Sequence, residues 1–176
     1  MFRISKINDL IAITLQGNER WQWAPILLAR VSLGLFFAIS GWNKLFVAET
    51  RAGLVETMIE AGIPFPEFTA VFLASVELFG GSFLVIGLLS TFCAIALTIA
   101  MVVAIVTVEI HTIPSGLSFL NWLDYFLYLP QVMYVVLFLW LMVSGPGPVS
   151  LDSYLARAIE RLWGGAAHVA HSDLAR

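Results

Sequence analysis

The chain has 176 residues, 60% of them apolar and only 12% charged, with a mean hydropathy of +0.90. Soluble domains carry about 25% charged residues, and a water-facing globule of this size has too much surface to cover with so few polar side chains. A formal net charge of −3, with nine scattered Lys and Arg residues, excludes a nucleic-acid partner. The single cysteine, Cys93, excludes an internal disulfide or C-x-x-C pair. With three histidines, only one of them near a membrane span, a bis-His haem within one chain is excluded as well.

Residues 1–23 read as an amino-terminal interfacial segment, with Phe2, Ile7, Leu10, Ile11 and Leu15 as a weak apolar face. Asn8 and Asp9 interrupt it and no small-x-small cleavage site follows, so it does not read as a signal peptide. Four segments then reach the ~20 apolar residues that a span needs: about 24–46, 69–89, 91–110 and 123–144. The second and third are separated only around Ser90, which predicts a tight antiparallel hairpin. Backbone groups in hydrocarbon must bond internally, and period-2 strands are absent, so all four are expected as helices. The G-P-G-P run at 145–148 ends the fourth span, since Pro146 and Pro148 cannot continue a helix. Beyond it, residues 147–176 read as a cytoplasmic amphipathic helix and tail. There Leu151, Tyr154, Leu155, Ala158, Ile159, Leu162 and Trp163 form one face, behind Ser150 as N-cap.

The expected fold is therefore an all-α, integral membrane four-helix bundle over 24–146, flanked by interfacial helices. Arg3, Lys6, Arg20, Arg30, Arg157, Arg161 and Arg176 lie on the side of both termini, against Lys44 and Arg51 opposite. That asymmetry predicts cytoplasmic termini. Small residues at helical spacing (Gly34, Ala38 and Gly41; Ala70, Ala74 and Gly81; Ala96, Ala100 and Ala104) predict close packing of the first three spans.

Polar residues inside spans are the candidate functional groups. Glu77 lies about 12 Å into the second span and Gln131 at about the same depth in the fourth. An ionised Glu77 there must be paired, hydrated or protonated. Lys44 and Arg30 are its reachable cations, the first shallower and the second deeper. A structural ion pair and a ligand- or proton-binding carboxylate both fit. Pro130 removes a backbone donor beside Gln131 and predicts a kink that opens space at that level. With Asn43 and Tyr128, these residues outline a pocket in the outer half of the bundle. His111, Glu109 and Asp124 form a second cluster, either a helix-end hydrogen-bond network or a site for Zn or Cu. Cys93 reads as a small apolar filler.

In chain order, several short motifs resemble the DoxX family of small four-helix bacterial membrane proteins. They are Arg30, the L-G-L-F-F-A-I-S-G-W-N-K run ending at Lys44, A-G-I-P-F-P (61–66), V-E-L-F-G-G (76–81) leading to Gly87, His111, and S-G-P-G-P-V-S-L-D (144–152). The stretch L-D-Y-F-L-Y-L-P-Q-V-M-Y resembles the subgroup encoded beside copper-peptide modification enzymes, and Gln131 stands where relatives are expected to carry a carboxylate. The resemblance implies a bacterial inner-membrane subunit. Relatives occur with thiosulfate:quinone oxidoreductases, with superoxide dismutase and sulfurtransferase partners in oxidant defence, and in copper-associated operons. The expectation is thus a redox- or stress-associated accessory subunit, not catalytic alone, which holds a quinone in its outer pocket and works with protein partners or as a homo-oligomer. The alternatives are a non-catalytic scaffold for a soluble partner and a small-solute or copper-related transport component.

Overall fold

The structure is a computed structural model whose described residues are 23–161. The expected interfacial segment before Trp23 and the tail from 162 onward lie outside them. Among the described residues every regular element is helical. These are α1 (Trp23–Phe46), α2 (Ala48–Glu60), α3 (Pro66–Ile86), α4 (Ser90–Thr107), a 3-10 turn (Glu109–Thr112), α5 (Phe119–Tyr128) and α6 (Pro130–Ser144). A last helix, α7, occupies 151–161. Three helical stretches are long and apolar enough to cross a membrane, and the bent pair α5–α6 makes a fourth if counted as one span. The chain is an all-α, multi-pass membrane protein.

The close contact is between α1 and α3. A methyl group placed on Gly34 would come within 2.8 Å of the Gly81 carbonyl oxygen, and one on Gly41 within 2.6 Å of the Ala74 carbonyl oxygen. On Gly81 the same addition would meet the Gly34 carbonyl oxygen at 2.6 Å. Backbones this close gain dispersion contacts that no lipid tail could supply, and that is the force available to helices in a bilayer. Ala70 and Ala74 complete the seam, both buried. The third small-residue row behaves differently: Ala96, Ala100 and Ala104 of α4 line a cavity. The packed core lies toward the end of the bundle where α1 begins and α6 ends. There Leu33, Phe37, Leu84, Leu97, Phe138 and Leu141 meet, with Cys93 among them as a buried filler.

The α3–α4 hairpin turns as its sequence suggests. Gly87 adopts φ +72° and its N–H donates to the Leu84 carbonyl, while the Leu88 N–H reaches the Phe83 carbonyl, a left-handed helix end that glycine adopts without strain. Leu89 precedes α4 in the same left-handed region and offers no capping side chain. The cap comes from Asp152, whose two carboxylate oxygens accept from the N–H groups of Leu89 and Ser90, both at 2.8 Å. Arg30 lies beside this junction, donating to the carbonyls of Pro146 and Val149, the latter at 2.6 Å. The 145–152 segment is thereby tied to α1 and α4. Ser150 is the N-cap of α7, accepting from the Ser153 N–H at 3.1 Å.

Two elements depart from expectation. The fourth span is broken: α5 and α6 meet at 69°. Pro130 opens α6 at its first position, and Leu129 before it is extended (φ −66°, ψ 119°), the region to which a residue preceding proline is steered. Between the first two spans, α2 occupies what reads in sequence as a loop, with Met58 buried beneath it.

Two outcomes test this packing. Gly81→Leu should lower the stability of the detergent-solubilised protein by about 2–3 kcal/mol, because overpacking a backbone seam forces the helices apart; unfolding titrations measure it. Asp152→Ala should cost about 1 kcal/mol through loss of the α4 cap and raise amide hydrogen exchange at Leu89 and Ser90 first.

Candidate ligand cavity

Glu77 projects from α3 toward α1 at the point where the glycine seam brings the two backbones together. It is 1% exposed. Lys44 Nζ lies 2.7 Å from each carboxylate oxygen, and Ser40 Oγ donates to Oε2 at 3.0 Å. Ser40 and Lys44 are four residues apart, one turn of α1, so both face α3. This is the one ion pair among the described residues. The lysine stem covers the depth difference between the two residues, as long cationic side chains do.

The pair is not sealed in packed core. Beside it lies a cavity of about 800 Å³ between α1, α3, α4 and α6, roofed by α2 through Leu54, Thr57 and Met58. Its wall is mostly apolar, with Ser40, Lys44, Glu77, Glu109 and Gln131 among its few polar members. Phe72 of α3 and Ile99 of α4 line it while remaining 60% and 59% exposed, so its α3–α4 side lies close to the apolar surface of the bundle. Phe36 and Phe37 pack edge or tilted against Tyr134, with ring centroids 5.0 and 5.4 Å away, and form the α1–α6 wall.

On the far side, Gln131 Nε2 donates to Glu109 Oε1 at 2.6 Å. The break at Pro130 puts Gln131 at the first turn of α6, facing the 3-10 turn that carries Glu109. Gln131 Oε1 is buried with no hydrogen-bond partner. A second, smaller cavity of about 360 Å³ lies between α2 and the 3-10 turn and is lined by Glu60, His111, Thr57 and Thr107. Thr57, Thr107 and Val108 line both cavities. A polar vestibule thus adjoins the apolar chamber at its outer edge.

Of the six residues expected around a pocket, the structure places Glu77, Lys44 and Gln131 on one cavity wall. Arg30 is elsewhere, at the opposite end of α1, bonded to loop carbonyls. Asn43 is exposed, and Tyr128 is 82% exposed; the sharp turn at Leu129 carries α5, and Tyr128 with it, away from the bundle axis. The expected cluster of His111, Glu109 and Asp124 is not brought together: His111 and Asp124 are exposed, and no group of three His, Cys, Asp or Glu able to hold a metal occurs among the described residues. Glu109 bonds Gln131 instead. Sequence reasoning missed Ser40, Thr57 and Tyr134 as wall residues. Ser40 was findable one turn before Lys44, and Thr57 through the apolar spacing of Leu54, Met58 and Ile59 in α2.

Comparison with known proteins adds one match, to the protein-family model DoxX, over residues 26–110. Residues 26–110 carry a DoxX domain. The match runs from α1 to the start of the 3-10 turn and contains Lys44, Glu77 and Glu109; α5, α6 and α7 lie beyond it. No curated protein and no solved structure matches the chain.

Removing one member of the buried pair should be far worse than removing both. Lys44→Leu strands a carboxylate in an apolar wall and is expected to cost about 3–5 kcal/mol. Glu77→Leu should cost less, because the lysine, 23% exposed, can reach water. The double variant should recover most of the loss, as a double-mutant cycle by detergent unfolding would read.

Proposed function

We propose that this DoxX-family protein is an accessory subunit of a redox- or stress-associated complex in a bacterial inner membrane, with both termini cytoplasmic, and that its cavity holds the headgroup of a lipid-soluble quinone. One observation carries the reading: a bidentate ion pair forms part of the wall of a mostly apolar chamber whose α3–α4 side carries the exposed apolar side chains Phe72 and Ile99. Here the pair borders a volume within the 300–1,000 Å³ typical of small-molecule sites, which are mostly apolar with a few convergent polar groups. A quinone suits such a chamber. Its ring packs among Phe36, Phe37, Phe72 and Tyr134, its isoprenoid tail leaves sideways into the bilayer, and its carbonyls accept from Lys44, which has a third N–H to give.

The chemistry assigned to the chain is binding and positioning. Lys44 and Glu77 present a fixed dipole rather than a net charge, so a neutral carbonyl is preferred over an anion. Ser40 holds the carboxylate in place. Glu109 lines the chamber beside Thr107 and Val108, the residues it shares with the polar vestibule, and protons exchange with water along that side. Electrons come from a partner protein, and association through protein partners or a second copy belongs to the same proposal.

The test is occupancy. Purified protein in lipid nanodiscs should retain a decyl-tailed benzoquinone in equilibrium dialysis, with one site per chain. Ala104→Phe, which fills the chamber from α4, should abolish retention while leaving the helical content unchanged. Failure of the wild-type protein to bind, or equal binding by Ala104→Phe, ends the quinone reading.

A further inference from the structure

The two polar poles of the cavity are not equivalent. At the α1–α3 pole the carboxylate oxygens of Glu77 are taken by Lys44 and Ser40, and what remains open is a donor, the third N–H of Lys44. At the α4–α6 pole the balance is reversed. Glu109 Oε1 accepts from Gln131 Nε2, so the amide is set with its nitrogen toward Glu109. Gln131 Oε1 is thereby turned away, buried and unpartnered. The second oxygen of Glu109 likewise accepts no hydrogen bond from the described residues, and no Lys, Arg or His among them lies within ion-pair distance of it. A buried acceptor left without a partner costs about 1–3 kcal/mol; Gln131 Oε1 is such an acceptor, and the half-buried Glu109 lines the same largely apolar chamber with it.

Resting on the cavity-binding reading above, we infer that the chamber selects an amphiphile whose head carries a hydroxyl donor, of hydroquinone or other phenol type, with that O–H directed at the Glu109–Gln131 pole. The fully oxidised quinone satisfies Lys44 but brings nothing to Glu109 or Gln131. A hydroquinone satisfies both ends: one oxygen accepts from Lys44 and the opposite O–H donates to the acceptor pair. The site thus holds the reduced form more tightly than the oxidised one.

Three probes sharing one decyl tail separate the cases under anaerobic conditions: the benzoquinone, its hydroquinone, and the dimethyl ether of the hydroquinone, which keeps the oxygens and loses both donors. Full-length protein in nanodiscs should bind the hydroquinone roughly tenfold more tightly than the quinone or the ether, the ratio expected for satisfying one buried acceptor. The double variant Glu109→Leu/Gln131→Leu, which removes both acceptors, should bring the hydroquinone-to-ether ratio close to one while the ether still binds. Equal affinity of the wild-type protein for all three probes overturns this inference and leaves the cavity reading standing. Absence of binding by any probe overturns both.

Discussion

A carboxylate in hydrocarbon is tolerated only where a cation and a hydrogen-bond donor reach it, and both must arrive on a helix that can come close enough. In this protein that closeness is made by glycine. With side chains at Gly34, Gly41 and Gly81, α1 and α3 would stand apart, and Lys44 and Ser40 could not hold Glu77 at 2.7 and 3.0 Å. The seam and the ion pair are one device: small residues supply contact, contact supplies reach, and reach makes the charge bearable. The cavity follows from the same arrangement, because α1 and α3 spend their close faces on each other and leave α4 and α6 to close the remaining side less completely.

The second fixed point lies at the other end of the bundle. Arg30, Gly87 and Asp152 are distant in sequence and form one junction, with the arginine holding loop carbonyls, the glycine leaving room for it, and the aspartate capping a helix that begins 62 residues earlier. A methyl group on Gly87 would lie 2.6 Å from an Arg30 guanidinium nitrogen. Arg30, which sequence reading assigns to a pocket, serves here with Gly87 and Asp152 to lock the loops at this end. The half of the bundle that holds Glu77 and Gln131 can then contain open volume while the half beside Arg30 stays packed.

Much of this was legible in the sequence, for physical reasons. The spans follow from the lack of water in a bilayer, and the first three were readable from run length alone. Glu77 and Lys44 stood out because charges in such runs are rare, and Pro130 because it lacks an N–H. What escaped was whatever depends on the direction of a chain after a break. Pro130 predicts a kink, but not that it would turn α5 by 69° and remove Tyr128 from the cavity. Arg30 looked like a partner for Glu77 on depth alone; the backbone carbonyls that claim it lie 116 and 119 residues away. The α2 helix was missed because Glu49, Arg51, Glu56 and Glu60 make its stretch read as a polar loop, although Leu54 and Met58 mark an inward side. Glu109 was noticed for its neighbour His111, whereas its bond is to Gln131.

The broken last span also bears on the surrounding bilayer. α6 has 15 residues, about 22 Å at 1.5 Å per residue, against 24 residues in α1, about 36 Å. Met133, Val136, Leu139 and Val143 face outward along the shorter wall. Lipid on that flank meets an apolar height below the ~30 Å of an average hydrocarbon core, while lipid beside α1 does not. Such one-sided mismatch is relieved by a local dimple in the leaflet or by a neighbouring subunit that covers the short flank. The break at Pro130 thus leaves the bundle with walls of unequal apolar height.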